Sequence, residues 1–459
     1  MDPIGAELAH VGSEIDRSGT SRVLWQKVAL IAIAGFFEQY ELFSTPFVLP
    51  GLVKSGLVTT SATSVFSPHG AAFFIASMYV GVFFGAVVLA RTADWIGRRS
   101  VLIASLVAYA VSSLITAVQL GIWGINAWRL VTGIGLGVTM VTINIYISEI
   151  VPRHLRGRAS AVGLSVQCTA IPVAALIAWR LVPMEPFGVS GWRWVVGLGG
   201  LGVIPAWVIY ARLAESPRWM VAKGKSLFED GSPIFGSETR RKGPANARDR
   251  VSGRRAQFAE LFHRRYIRRV VMFSLFHATH TIGIYGFIQW GPSFLVSRGI
   301  PLAHSLAYSL FGAAVLPIGP VIALTFADRW ERKWQIVTCL AGIAVTGLVY
   351  GNSRSAVPII ISAAILNLSS TILVLNYNAY QAELFPTHIR AMAVGFVYSW
   401  NRLAGIFSGF IIVFVLGKAG VSAVFSMIAG CMALAACVIA TLGPTTRNKP
   451  LEVLTEGLV

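Results

Sequence analysis

Long apolar runs, separated by short clusters of basic residues, make up most of this 459-residue chain. A helix needs about 20 mostly apolar residues to cross about 30 Å of hydrocarbon. That length predicts twelve membrane-spanning helices, at 25–49, 70–90, 100–120, 123–148, 158–180, 192–211, 270–296, 303–326, 335–351, 356–382, 391–416 and 421–443. The runs are continuous rather than alternating, which excludes a β-barrel. The predicted fold class is therefore an all-α membrane protein.

The composition agrees with this prediction. Only 13% of the residues are charged and 55% are hydrophobic, whereas soluble domains carry about 25% charged residues. The net charge of +18 could indicate nucleic-acid binding, but the basic residues form no continuous stripe. The four cysteines lie singly in apolar segments, so we expect neither disulfides nor a metal site. The first 22 residues lack the apolar core of a signal peptide.

The basic residues predict the orientation of the chain. If both termini are cytoplasmic, 30 of the 38 Lys and Arg residues fall in cytoplasmic segments and six fall outside. Basic loops stay in the cytoplasm, so we expect a multi-pass protein of the plasma membrane, specifically a bacterial inner membrane. The predicted organisation has cytoplasmic tails at 1–24 and 444–459, six-helix bundles at 25–211 and 270–443, and a basic linker at 212–269. The linker could also contact anionic lipid headgroups.

The two predicted bundles are related by an internal repeat. A shift of 234 residues carries Ala93-Asp94 onto Ala327-Asp328 and Arg98-Arg99 onto Arg332-Lys333. The same shift relates a second cluster, in which Asn144, Tyr146, Glu149, Pro152, His154 and Arg156 match Asn378, Tyr380, Glu383, Pro386, His388 and Arg390. The shift spans six helices, an even number, so the copies have the same orientation. Parallel repeats place a binding cavity at their interface near the midplane.

Five segments in order resemble the major facilitator superfamily. They are ARTADWIGRRSVL (90–102), RLVTGIGLG (129–137), ESPRWMVAKGK (215–225), FADRWERKWQIV (326–337) and AELFPTHIRAMAVGFVYSWNRLAGI (382–406). The third is similar to a signature of sugar and metabolite porters, and the last resembles the metabolite and aromatic-acid proton symporters. The glutamine-rich seventh-helix motif of sugar porters is replaced by FHATHTIGIYGFIQW (276–290), which argues against hexose transport.

Glu38 and Glu41 are the only acidic residues well inside a predicted helix. Three residues apart, they share one helical face, and burial with mutual repulsion favours the protonated form of at least one. We predict that they couple transport to protons; the symporter families that the chain resembles carry an acidic pair here. The alternative is that one glutamate neutralises an internal arginine. By the same resemblance Arg129 assists coupling, unless it is a structural or snorkelling residue.

Arg402, preceded by Asn401, lies about eleven residues, or roughly 17 Å, into the eleventh predicted helix. A buried guanidinium needs an anion and binds carboxylate through two parallel hydrogen bonds. That anion is either a substrate carboxylate or one of the two glutamates. Further candidates for lining the solute cavity are Tyr285, Gln289, Trp290, His277, His280, Asn376 and Tyr377. The two histidines are either packing residues or a proton relay.

Acidic and basic residues at the predicted cytoplasmic helix ends form a candidate latch that opens when the cavity faces inward. Its members are Asp94, Arg98, Arg99, Glu149, Arg156, Asp328, Arg332, Lys333, Glu383 and Arg390.

These observations predict a secondary active transporter that works by alternating access, as a monomer, without a cofactor other than the coupling proton. We expect proton symport of a small organic carboxylate, aromatic or short. Transport of a neutral sugar or polyol is the first alternative, and a transporter-like receptor that moves no solute is the second. An enzyme is not expected, and the sequence lacks the GxxxxGK[ST] loop of ATP-driven pumps.

Overall fold

The computed structural model describes residues 13, 16, 21–60, 66–223, 260–326 and 330–446, which are almost entirely helical. Within these ranges, ten helices are long and apolar enough to cross a membrane. The last of the ten, Met392–Leu442, consists of two spans, because the backbone breaks at Gly420 with φ +77°. The more polar helix Arg22–Lys54 brings the number of spans in the described chain to twelve, which confirms the prediction.

The helices are numbered α1 to α12 in chain order. The first six are Arg22–Lys54, Ala71–Val87, Arg98–Val118, Ile122–Ile150, Arg156–Leu181 and Gly191–Arg212. The second six are Arg264–Ser297, Leu302–Ala323, Arg332–Asn352, Ala356–Leu384, 387–419 and 421–442. A short helix, Pro217–Ala222, follows α6. The predicted linker and both predicted tails lie largely outside the described residues.

Apolar side chains face outward, as a lipid environment requires. On α3, Val107, Val111 and Leu114 are exposed at the spacing of one helical face. Exposed tryptophans lie near both ends of the helices, with Trp95, Trp330 and Trp334 at one end and Trp123 and Trp194 at the other. Such belts mark the two membrane interfaces. We call the end that carries Arg98, Arg156, Arg332 and Arg390 the basic end.

The two six-helix halves meet through three pairs of helices. α2 packs against α11, α1 against α7, and α5 against α8. Toward the end opposite the basic end the halves are in close contact, since Phe66 stacks on Phe410 at 5.3 Å. Gly409 faces Ala72 at ordinary contact distance, since an added Cβ would lie 3.5 Å from the Ala72 Cα. Four of the polar residues predicted for the site lie at this interface between halves, namely Glu38, Arg402, Tyr285 and Gln289.

Candidate solute and proton site

Glu41 is held inside the first half. Its side chain is buried, and its Oε2 accepts a hydrogen bond from Ser113 Oγ at 3.0 Å. The carboxylate packs on Gly199, in a 3₁₀ turn of α6, where a Cβ would come within 1.8 Å of Oε2. Only a glycine leaves space for the carboxylate at this position.

Arg129 is also buried in the first half, at 1% exposure. Its Nη2 donates to Thr45 Oγ1 at 2.7 Å and contacts Met78 Sδ at 2.9 Å. The guanidinium lies 4.1 Å above the Phe74 ring, a cation–π arrangement. Among the described residues it forms no ion pair within 4.0 Å, although Glu41 is close enough to interact electrostatically. Such complete burial is inconsistent with a snorkelling residue.

Glu38 faces the other half of the molecule. Its carboxylate interacts electrostatically with Arg402 of α11, and both side chains are buried. Within the described part of the chain the two do not approach within 4.0 Å. Gln39 Nε2 lies 3.4 Å from Glu38 Oε1. The glutamates are therefore divided, with Glu41 beside Arg129 in one half and Glu38 opposite Arg402 across the interface.

Arg402 lies near the middle of α11 and reaches across to the first half. Its Nη2 contacts Met140 Sδ of α4 at 2.7 Å, and its Cζ lies 5.2 Å from the Tyr398 ring centroid. Its Nη1 is buried with no hydrogen-bond partner among the described residues, and the same holds for Asn401 Oδ1. A buried cation without a close anion is costly, so this corner of the interface has unused capacity to bind an anion.

Two tyrosines from opposite halves form a wall beside this corner. The rings of Tyr79 and Tyr285 lie 5.1 Å apart, and Gln289 Nε2 donates to Tyr79 Oη at 2.6 Å. Tyr285 packs against Gly405, one turn after Arg402 on α11. The structure therefore brings Tyr285 and Gln289 to the interface between the halves.

His277 contacts the ring of Tyr398, the tyrosine that Arg402 also contacts. Its Nε2 is 3.2 Å from Gln381 Oε1, and its ring is 5.3 Å from that of Tyr398 and 5.2 Å from that of Tyr377. Its Nδ1 is buried and has no partner in the described ranges. His277 therefore packs between Tyr377 and Tyr398 on the second-half side of the interface.

Three other predicted lining residues make contacts within their own half. His280 donates through Nδ1 to Phe276 O at 3.0 Å and stacks on the Phe276 ring at 4.5 Å. Asn376 Nδ2 donates to the carbonyl of Ile372 in its own helix at 3.1 Å. Trp290 stacks on Phe294 at 6.2 Å.

Two equivalent ion pairs between predicted latch residues lie at the basic end, one in each half. Arg98 Nη2 lies 3.1 Å from both Glu149 Oε1 and Asp94 Oδ1. In the second half, Arg332 Nε lies 2.8 Å from Glu383 Oε1. Both pairs connect the start of one helix to the end of the next, and each joins described residues of a single half.

Another pair of equivalent arginines binds backbone carbonyls. Arg156 Nε donates to Val151 O at 3.2 Å, and Arg390 Nε donates to Phe385 O at 3.0 Å. In each case the arginine spans five residues across the turn that leads into α5 or α11. This contact orders the turn.

The remaining predicted latch residues make other contacts. Arg99 Nη2 donates to Tyr210 O at 2.5 Å, and Lys333 lies 5.4 Å from the Trp334 ring centroid. Asp328 lies outside the described residues.

Glu215, from the ESPRW segment, ties the end of the first half to the start of α3. Its Oε1 accepts hydrogen bonds from the backbone N–H groups of Arg98 at 2.8 Å, Arg99 at 3.1 Å and Ser216 at 2.9 Å. A carboxylate at a helix N-terminus satisfies free N–H groups and the helix dipole. Gly97 makes room for it, since a Cβ there would lie 2.2 Å from Glu215 Oε2.

Equivalent tyrosines mark the same junction in both halves. Tyr146 Oη donates to Ala214 O after α6, and Tyr380 Oη donates to Pro444 O after α12 at 2.6 Å. The segments that follow α6 and α12 are therefore structurally equivalent.

The second half carries its carboxylate in a different place. Glu331 occupies the position equivalent to Gly97, and its Oε1 accepts from the backbone N–H of Thr446 at 2.8 Å. Thr446 lies two residues after Pro444, as Ser216 lies two residues after Ala214. In the first half the carboxylate belongs to the segment after α6, and in the second half it belongs to the loop before α9. The carboxylate-to-backbone contact is therefore preserved although its residue has changed place.

Sequence reasoning did not identify the residues that hold the charged groups, namely Thr45, Met78, Tyr79, Ser113, Met140, Gly199, Gln381 and Tyr398. The available signal was a polar group within an apolar run, as at Ser113 in α3 and Thr45 in α1, and the methionines had none.

Comparisons with known proteins agree with this architecture. The profile of the sugar (and other) transporter family matches residues 28–458. The putative metabolite transport protein YyaJ of Bacillus subtilis is 28% identical over 451 residues, which cover 96% of this chain and 97% of that protein. The niacin transporter NiaP of Acinetobacter baylyi is 24% identical over 94% of this chain and 95% of its own length.

Among solved structures, the fold is similar to that of the xylose transporter XylE from E. coli in a partially occluded inward open conformation. The TM-score is 0.75 at 17% sequence identity, and the match covers 94% of this chain and all of that one. The fold, the paired loop motifs and the profile match agree. The chain belongs to the sugar (and other) transporter family of the major facilitator superfamily.

Proposed function

We propose that this transporter is a proton-coupled symporter of a small organic carboxylate. The observation that carries the proposal is the buried guanidinium of Arg402, whose Nη1 has no hydrogen-bond partner in the described chain and whose Nη2 contacts only a thioether. An ionisable residue at this depth marks a substrate or ion pathway. A carboxylate would supply the missing charge and acceptors through a bidentate contact.

The surroundings of Arg402 favour an aromatic acid. The Tyr398 ring lies beneath its guanidinium, and the Tyr79 and Tyr285 rings stand beside it. Pockets that combine aromatic walls with a few polar groups suit small planar solutes. One relative is a niacin transporter, and niacin is an aromatic carboxylate.

Glu38 couples the solute to the proton. In the absence of solute, Arg402 is the cation that faces Glu38 across the interface. A solute carboxylate bound to Arg402 would neutralise the charge that faces Glu38 and place a second anion nearby. Both effects favour proton uptake by Glu38. Solute and proton would then enter the site together, and binding of each would strengthen binding of the other.

The other charged groups have supporting roles in this proposal. Glu41 and Arg129 keep a second acid and base inside the first half, and the ion pairs of Arg98 and Arg332 brace the basic end. We further propose that the protein lies in a bacterial inner membrane as a monomer, with the basic end and both termini on the cytoplasmic side.

The second candidate is transport of a neutral sugar or polyol. It is favoured by Gln289, whose Oε1 is buried without a partner in the described ranges. This oxygen is free to accept a hydrogen bond from a solute hydroxyl. In this case Arg402 would serve only as the counter-charge of Glu38.

Proteoliposome uptake with an imposed pH gradient tests the proposal. Aromatic and short carboxylates are screened against sugars and polyols, and the best solute is then tested with Glu38→Gln. We expect accumulation driven by the gradient for a carboxylate. In Glu38→Gln this accumulation is lost, while exchange of labelled for unlabelled solute is retained.

Glu185→Gln is the matched control, because Glu185 is exposed in the turn between α5 and α6. It should accumulate solute as the wild type does. Accumulation of a neutral solute but of no carboxylate would contradict the carboxylate assignment. Unchanged accumulation in Glu38→Gln would contradict the coupling role.

A further inference from the structure

Helix α3 carries two hydroxyl groups, one turn apart, close enough to the two glutamates of α1 to interact with them. Ser113 Oγ donates to Glu41 Oε2 at 3.0 Å. Tyr109, four residues earlier, is completely buried, and its Oη has no hydrogen-bond partner among the described residues. A buried hydroxyl without a partner is rare and calls for an explanation.

The register of the two helices matches Tyr109 with Glu38. α1 and α3 both run away from the basic end, so their residues ascend in the same direction. Glu38 precedes Glu41 by about 4.5 Å along its helix, and Tyr109 precedes Ser113 by about 6 Å. The Tyr109 hydroxyl is therefore near the level of the Glu38 carboxylate. Tyr109 interacts electrostatically with both Glu38 and Glu41.

Helix α6 prevents Tyr109 from withdrawing. Gly202 packs against the hydroxyl so closely that a Cβ there would lie 2.5 Å from Tyr109 Oη. One turn earlier, Gly199 backs Glu41 in the same way. The 3₁₀ turn of α6 thus holds both groups toward α1.

We propose that Tyr109 is the positioning residue for Glu38, which completes a second hydroxyl–carboxylate pair during the transport cycle. The inference rests on the proposed role of Glu38 in proton coupling. A tyrosine hydroxyl donates to a carboxylate and accepts from a carboxylic acid, so Tyr109 serves both protonation states. Its hydroxyl changes from donor to acceptor as Glu38 takes up a proton.

The other groups that face the acid pair are two arginines and one tyrosine. Glu38 is faced by Arg402 from α11 and Tyr285 from α7, while Glu41 is faced by Arg129 from α4. The arginines act through charge in the described structure, and neither is within 4.0 Å of a glutamate.

The test is Tyr109→Phe, which removes one oxygen and keeps the ring. Tyr109→Phe removes a charge-assisted hydrogen bond from the carboxylate and a bond about half as strong from the acid. The difference corresponds to a roughly tenfold change in proton affinity, or about 1 pH unit. Loss of the donor disfavours the carboxylate form, so the pH profile of transport should move upward by about that amount. Gradient-driven accumulation should fall, while exchange at constant pH is retained.

Tyr350→Phe is the matched control, because it also removes a buried hydroxyl, one that donates to Gly291 O at 3.3 Å within the second half. Its pH profile should equal that of the wild type. If Tyr109→Phe also keeps the wild-type profile while Glu38→Gln loses coupling, the role of Tyr109 is refuted and the proposed function stands. If Glu38→Gln keeps coupling, the proposed function and this inference both fail. If Tyr109→Phe loses exchange and its residual transport keeps the wild-type pH profile, the role of Tyr109 is purely structural. That result would also overturn the inference.

Discussion

Replacing Gly199 by alanine places a methyl group in the space that the Glu41 carboxylate occupies. The added Cβ would lie 1.8 Å from Glu41 Oε2 and 2.9 Å from Ser113 Oγ. To reach an ordinary contact the carboxylate must retreat by roughly 1.5–2 Å, which breaks its 3.0 Å hydrogen bond with Ser113. Such a bond to a charged group contributes about 1.5–3 kcal/mol, and overpacking costs a similar amount.

Gly197→Ala is a matched control in the same helix. A Cβ at Gly197 meets only Ala117 Cβ, at 3.6 Å, which is an ordinary contact. Both variants gain the same helix propensity from alanine, so their difference isolates the displacement of Glu41.

Thermal unfolding in detergent and uptake in proteoliposomes would measure this difference. We expect Gly199→Ala to unfold at a lower temperature than Gly197→Ala and to lose gradient-driven accumulation by roughly tenfold or more. Gly197→Ala should behave as the wild type. Equal unfolding temperatures and equal accumulation in the two variants would refute the reasoning that the Gly199 surface positions Glu41.

Three further changes test other parts of the site. Arg402→Lys keeps the charge but loses the planar fork, so the KM for a carboxylate should rise about tenfold; an unchanged KM in initial-rate uptake would exclude a bidentate contact. Asp94→Asn removes one partner of Arg98 at the basic end and should lower uptake while leaving membrane insertion intact, so normal uptake would argue against the latch. Glu331→Gln weakens the contact with Thr446 and should reduce the free energy of unfolding by about 1 kcal/mol; the unfolding temperature in detergent is the readout, and an unchanged value would show that this contact is not stabilising.

The twelve spans could be predicted because the bilayer imposes their length and polarity. Even the division between α9 and α10 follows the sequence closely, with α9 ending at Asn352 and α10 beginning at Ala356. The ends of α1 and α7 differ more, since both helices continue past the apolar run into polar residues. Backbone hydrogen bonding sustains a helix beyond the membrane core, where hydrophobicity no longer marks it.

The candidate charged groups were also evident from the sequence, because an ionisable residue in an apolar run is conspicuous. Their partners were not. The sequence left Arg402 equally suited to a substrate or to either glutamate, and only the packing of α11 against the first half shows that it faces Glu38 rather than Glu41. Electrostatic partners depend on distances between helices, which local sequence does not encode.

The repeat illustrates the same division. From the sequence, the glutamate at position 331 is a departure from the first copy of the motif. In the structure it takes the role of Glu215 from the other side of the junction, because the contact needs one carboxylate near free N–H groups and not a particular residue order. The sequence by itself determined the number, order and polarity of the helices, since these depend on transfer into lipid. The tertiary structure alone decided which charges and hydroxyls meet, since that depends on how the two halves pack.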